Sequence, residues 1–158
     1  MIFSAILTIL ILLLAGVIVL KITGNPAANR INGEPAITVE ISGQKYNLEV
    51  VDTPASRQKG LMNRSELASN SGMLFVFDGT GIYPFWMKNT LIHLDIIWLN
   101  QNNEIVHVKE DAQPCETTIA AICNTIIPLK PALYVIELNA GEVQKLNLKT
   151  GDKIDFEL

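Results

Sequence analysis

The chain has 158 residues, 49% of them hydrophobic and 18% charged, with a net charge of −4 and an isoelectric point near 5.1. That is room for one folded domain plus an appendage, and the composition is far from that of a disordered chain. No block of like charge occurs, which argues against a nucleic-acid binder and against a polybasic membrane-surface segment.

Residues 2–20 carry no charge, and as a helix they cover roughly 28 Å, close to the hydrocarbon thickness of a bilayer. The expectation is a transmembrane anchor over residues 1–21, with the membrane as its partner through residues 2–20. A cleavable signal peptide is the rival reading, but no Lys or Arg precedes the run and the run is long for a signal core. Lys21 and Arg30 follow it, and a literal positive-inside count puts the rest of the chain in the cytoplasm. The cysteines, discussed below, favour an external domain. Residues 22–35 are rich in Gly, Pro, Asn and Ala and read as a linker, which leaves residues 36–158 as a single β-rich globular domain.

Within that domain, residues 37–41 and 46–51 alternate apolar and polar around Ser42-Gly43-Gln44-Lys45, a hairpin signal. Thr53 as N-cap and Pro54 at the first helical position predict a helix to about Arg64. Short strands are expected at residues 73–77, 85–87, 94–99 and 104–109. A long loop follows over 111–131, then a strand at 133–138, a short helix at 140–146 and a closing strand at 152–158. The sum is an α+β, mainly β domain. Its expected form is a compact antiparallel or mixed β-barrel or roll of about eight short strands with two short helices.

Several stretches match a known pattern in order. They are Gly60-Leu61-Met62-Asn63-Arg64, the run GMLFVF at 72–77, Phe85-Trp86-Met87-Lys88-Asn89-Thr90, Leu94-Asp95-Ile96-Ile97 and Tyr134-Val135-Ile136-Glu137-Leu138. The domain thereby resembles the uncharacterised prokaryotic domain-of-unknown-function family 192. The resemblance implies a compact β-rich fold, often behind a signal or anchor, with no established activity. His93 stands where that family's pattern usually has proline, so it makes a poor family-wide catalytic group.

Cys115 and Cys123 are the only cysteines. In a membrane-delivered domain, two cysteines this close suggest a disulfide closing the loop and an oxidising compartment. A redox pair or metal ligands are the alternatives, without C-x-x-C spacing to favour them. A Pro-Cys followed by a second Cys in this region is also part of the family resemblance. Asp95, flanked by Leu94 and Ile96, either faces solvent or is buried with a partner, since an unpaired buried carboxylate is costly. It reads as a structural ion pair or as one member of a ligand-binding cluster. That cluster comprises Arg57, Arg64, Trp86, Lys88, Asn89, Thr90 and Asp95, an aromatic with converging polar groups. Met62, Met73 and Met87 with His93 raise a thioether copper(I) site, against which stands the ordinary use of Met as core filler. His107 reads as a solvated strand histidine.

No nucleophile elbow, P-loop, dinucleotide fingerprint or H-E-x-x-H motif occurs. The expected function is therefore a membrane-anchored extracytoplasmic domain, periplasmic or cell-surface. It would bind a small ligand, envelope component or partner protein without turnover, and needs no metal or cofactor. The alternatives are an enzyme using Asp95 with Lys88 or Arg64, and a copper or redox role for the Met and Cys residues.

Overall fold

The computed structural model describes residues 30–115 and 123–158, so the anchor expected over 1–21 and most of the linker lie outside the described residues. The strands are β1 (Arg30–Ile31), β2 (Glu34–Ile41), β3 (Gln44–Val51), β4 (Ser71–Gly81), β5 (Phe85–Trp86), β6 (Leu94–Leu99), β7 (Ile105–Ala112), β8 (Thr125–Ile126) and β9 (Ala132–Asn139). Two short helices, α1 (Pro54–Lys59) and α2 (Glu142–Lys145), complete the described elements. β1 and the start of β2 fall inside the segment read as linker, so regular pairing begins earlier than the composition suggests.

The mainly β character and the two short helices stand as expected, while the barrel expectation is corrected. Among the described residues, seven strands form one open sheet in the order β1-β2-β3-β4-β9-β6-β7, and β5 pairs with β8 alone. The reason lies in the apolar pattern. Every residue of β6 is buried, and such a strand needs cover on both faces, which two layers provide and a small barrel's solvent-facing outside does not. One face packs Tyr46, Leu48, Leu74, Ile97, Ile136 and Leu138 against Val143 of α2 and Ile154. The other packs Met73, Phe75, Ile96, Trp98 and Val135 against Leu61 and Met87.

Local chemistry sets the joints. Ser42 and Gly43 both have positive φ, 49° and 81°, the backbone that a two-residue hairpin between β2 and β3 requires. At α1, Thr53 and Ser56 form a reciprocal capping box with Pro54 in the first turn. The helix stops at Lys59 rather than Arg64, because Gly60 leaves it with φ 46° and ψ −134°. A Cβ at Gly60 would lie 3.3 Å from the Phe75 ring, so the chain turns where it meets the sheet. At Gly72 a Cβ would come within 2.5 Å of the Glu137 carbonyl oxygen; glycine is what lets β4 and β9 approach. The helix expected over 140–146 is the shorter α2. The closing strand expected over 152–158 reduces to one bridge between Glu104 and Lys153, since the chain turns at Gly151 (φ 98°). Among the described residues, no helix is long and apolar enough to cross a membrane.

Candidate functional site

The pair β3–β4 is parallel, so the chain between them must cross one face of the sheet. That crossover, α1 and the segment down to Asn70, has little apolar surface: α1 buries none of its residues. It lies over the sheet without sealing it, and an open cavity of about 600 Å³ remains, lined by Asn32, Glu49, Ser56, Met62, Arg64 and Ser65 among others. At its floor Glu49 is only 2% exposed. Arg64 clamps it with Nη1 2.6 Å from Oε1 and Nη2 2.7 Å from Oε2, and Asn32 Nδ2 donates a third bond to Oε1 at 2.8 Å. This end-on pair is the bidentate geometry that gives an ion pair its strength. Hydrogen bonding to Glu49 raises the Arg64 pKa further, partly opposed by burial.

Glu49, Met73, Glu137 and Ile96 follow one another across β3, β4, β9 and β6 in register. Partnered residues share a face, so Glu137 lies on the cleft side of the sheet. It lines a second, smaller cavity of about 40 Å³ with Gly60, Phe75, Phe85, Trp86 and Thr90. Lys59, Gly60 and Met62 line both cavities, so the two are neighbours separated by one turn of chain. Glu137 Oε2 is buried with no hydrogen-bond partner among the described residues. Burial pushes its carboxyl up to about 8, against the opposing pull of the Arg64 charge. At neutral pH it is a protonated acid, able to donate a hydrogen bond or a proton.

Of the candidates read from the sequence, Arg64 lines the larger cavity, and Arg57, Trp86 and Thr90 line the smaller. Trp86 is 39% exposed, and Lys88 Nζ lies 5.5 Å from its ring centre. The Arg57 guanidinium is held by the Asp52 carbonyl, the Val76 carbonyl at 2.8 Å and Asp78 at 3.4 Å, above the Phe77 ring. Asn89 works through its backbone. With φ 55°, its N–H donates to the Cys115 carbonyl (2.9 Å) and its carbonyl accepts from Asn63 N–H (2.8 Å), joining the disulfide region to the cleft wall.

Asp95 does not join the cluster. It is wholly buried on the opposite face, where Oδ1 accepts from Asp111 N–H (2.9 Å) and Oδ2 from Val143 N–H (2.8 Å). Among the described residues it makes no salt bridge; it positions β7 and the start of α2. Sequence reasoning passed over Glu49 and Glu137. The available signal was a glutamate in register with Val51 on β3, and another with Val135 on β9, on what proves to be a core face.

Cys115 and Cys123 form a disulfide, Cα–Cα 5.8 Å. Of the sulfur ligands imagined for copper, Met73 and Met87 are buried in the same core cluster, and Met62 lines the larger cavity beside Met73. Among the described residues, no three His, Cys, Asp or Glu side chains gather at one point. His93 is half exposed and pairs with Asp111 at 2.7 Å, holding that carboxyl below its ordinary range. His107, expected to be solvated, is partly buried against Trp98, and burial lowers its pKa.

The model of a family described as "Uncharacterized ACR", domain-of-unknown-function family 192, matches residues 37–156. The chain belongs to family 192. A UPF0127 protein of Thermococcus sibiricus is 28% identical over 116 residues, which cover 70% of this family 192 chain and 66% of that relative. The chain therefore spans just under two thirds of the relative's length. A crystal structure of a protein of unknown function from Novosphingobium aromaticivorans is 30% identical with a TM-score of 0.71, covering 85% of this chain and 94% of the other. A second, from Sinorhizobium meliloti, is 33% identical with a TM-score of 0.64 over 76% of this chain and 91% of the other; it is described as a candidate transcription regulator. Both share the family 192 fold seen here.

Proposed function

We propose that this family 192 domain is an extracytoplasmic binding module that takes a small polar ligand or envelope component into the cleft beneath the α1 crossover. The observation that carries the reading is the cleft of about 600 Å³ above the clamped Glu49–Arg64 pair. Its size falls among small-molecule sites. Among the described residues, Arg64 uses two of its N–H donors on Glu49, while a guanidinium has about five. The rest, with Ser65 on the rim, supply directional contacts for oxygen-rich groups.

An address outside the cytoplasm is supported by the disulfide, which persists in oxidising compartments, and by the uncharged run at residues 2–20. An enzyme built on Asp95 with Lys88 or Arg64 has little support, because both Asp95 oxygens are taken by backbone amides. The regulator description of the Sinorhizobium protein finds no counterpart in this chain's charge, −4 with no basic block.

The test is a thermal-shift screen of the full-length chain against sugars, short peptides and small carboxylates, repeated on Ser65→Trp, which fills the cleft from its rim. A ligand at about a hundred times its Kd should stabilise the native protein by roughly 2.7 kcal/mol, and Ser65→Trp should abolish the shift. Ligands that stabilise both proteins equally, or none that stabilises the native one, would sink the reading. Thiol labelling of Cys115 and Cys123 in intact cells tests the compartment: labelling without prior reduction speaks against it.

A further inference from the structure

The larger cleft explains Glu49 and Arg64 but leaves Glu137 unused. Glu137 lines the smaller cavity, and its Oε2 is buried and meets no partner among the described residues; native proteins nearly always answer such a group with a protein, water or ligand partner. Three rings, Phe75, Phe85 and Trp86, and the Thr90 side chain stand around the adjoining cavity. An apolar wall with one polar point is how small-molecule sites fix orientation.

We propose that Glu137 is the hydrogen-bond donor that selects a neutral carbonyl, of an amide or acyl group, on the ligand of the neighbouring cleft. The assignment rests on the ligand-cleft reading and deepens it. Size limits the guest. The cavity of about 40 Å³ has room for a carbonyl or methyl-sized group, a little more than one water's share of about 30 Å³, and not for a ring. Charge limits it too. The charged groups facing this region are Lys59 from α1 and Lys88 above Trp86, with Arg57 paired to Asp78 and Arg64 to Glu49. That positive surround opposes an ammonium group. An anion set against the buried Glu137 carboxyl, among the three rings, would give up hydration with one donor to replace it. A neutral acceptor remains, and the protonated carboxyl supplies its partner. Burial holds Glu137 as the acid up to about pH 8, so the donor is present at neutral pH and disappears above that value.

The test is NMR titration of the full-length chain with acetamide, acetate and methylammonium, following the Trp86 indole N–H and the Gly60 amide. Acetamide should shift both near neutral pH, with affinity falling about tenfold one unit above the Glu137 pKa. Glu137→Gln, which keeps a donor and cannot titrate, should bind acetamide with that pH dependence gone. Glu137→Leu should lose it. Acetamide binding unchanged in Glu137→Leu, acetate binding as tightly as acetamide, methylammonium binding that strengthens with pH, or no response to any probe would each overturn the assignment. The two readings fail separately. Cleft ligands lost in Ser65→Trp but kept in Glu137→Leu leave the cleft standing without this donor. Acetamide binding through Glu137 with no cleft ligand leaves the reverse.

Discussion

Asp95 and Glu137 sit on adjacent strands of the same sheet, both buried, on opposite faces. Asp95 has each oxygen met by a backbone N–H, from Asp111 and from Val143. Val143 is in the first turn of α2, whose N-cap, Gly141, has no side chain to cap it, so a carboxylate from β6 takes that role. Glu137 has a buried oxygen with no partner among the described residues, and the residue lines a cavity. Burial alone therefore marks neither residue as functional. What separates them is whether the fold has already supplied the donors. A carboxylate met by fixed amides is architecture; one left unmet beside a cavity is available for chemistry.

The contrast can be broken most sharply through pH. Glu137 keeps its proton in the folded protein up to about 8, while the unfolded chain releases it near the ordinary 4.5. Between those values the folded state binds the extra proton, so stability falls as pH rises, by about 5 kcal/mol across the window. Below the lower value the term vanishes. Denaturant unfolding of native protein and Glu137→Gln should show the native protein losing ground to the variant from about pH 5 to about pH 8. Parallel pH profiles would mean that Glu137 ionises freely and is no different from Asp95.

A smaller effect tests the clamp beside it. Arg64→Ala leaves Glu49 buried with only Asn32 as a partner, and should cost about 3 kcal/mol. The double variant Glu49→Gln, Arg64→Met should recover much of that loss while leaving the cleft without the Arg64 guanidinium. Smaller again, Asp95→Asn keeps one acceptor and loses one charge-assisted bond, about 2 kcal/mol. It should leave ligand binding in the cleft unchanged, because it acts on the other face. A loss of affinity in Asp95→Asn would show that the two faces are coupled.

What could be read in the sequence follows the range of the forces involved. The β2–β3 hairpin was legible because Ser42 and Gly43 turn the chain locally, and the start of α1 because Thr53 and Pro54 act within one turn. Its end was not, since Gly60 departs from the helix against Phe75, a residue on the next strand. Of the Trp86 to Thr90 segment singled out in the sequence, Trp86 and Thr90 line the smaller cavity and Lys88 and Asn89 do not. Glu49 and Glu137 were not legible, because in a period-two strand a glutamate marks the solvent face by default. Only the crossover above β3 and β4 turns that face into an interior. Asp95 was rightly suspect as a buried charge, but its partners lie 16 and 48 residues away along the chain and are backbone amides, which no side-chain pattern announces. The family resemblance carried the fold class and could not supply the open topology.

The position of β9 has a further consequence, for the order in which the molecule is completed. It lies between β4 and β6, pairing Gly72 with Leu138 on one side and Leu94 with Asn139 on the other. Until residues 132–139 leave the ribosome, the two halves of the sheet have no strand to join them. Such long-range pairing makes folding slow and leaves unpaired edges exposed in the meantime. Glu137 rides on that last joining strand, so the small cavity exists only in a chain that has finished folding. A nascent or partly unfolded copy would hold the Glu49 half of the cleft but not its acid.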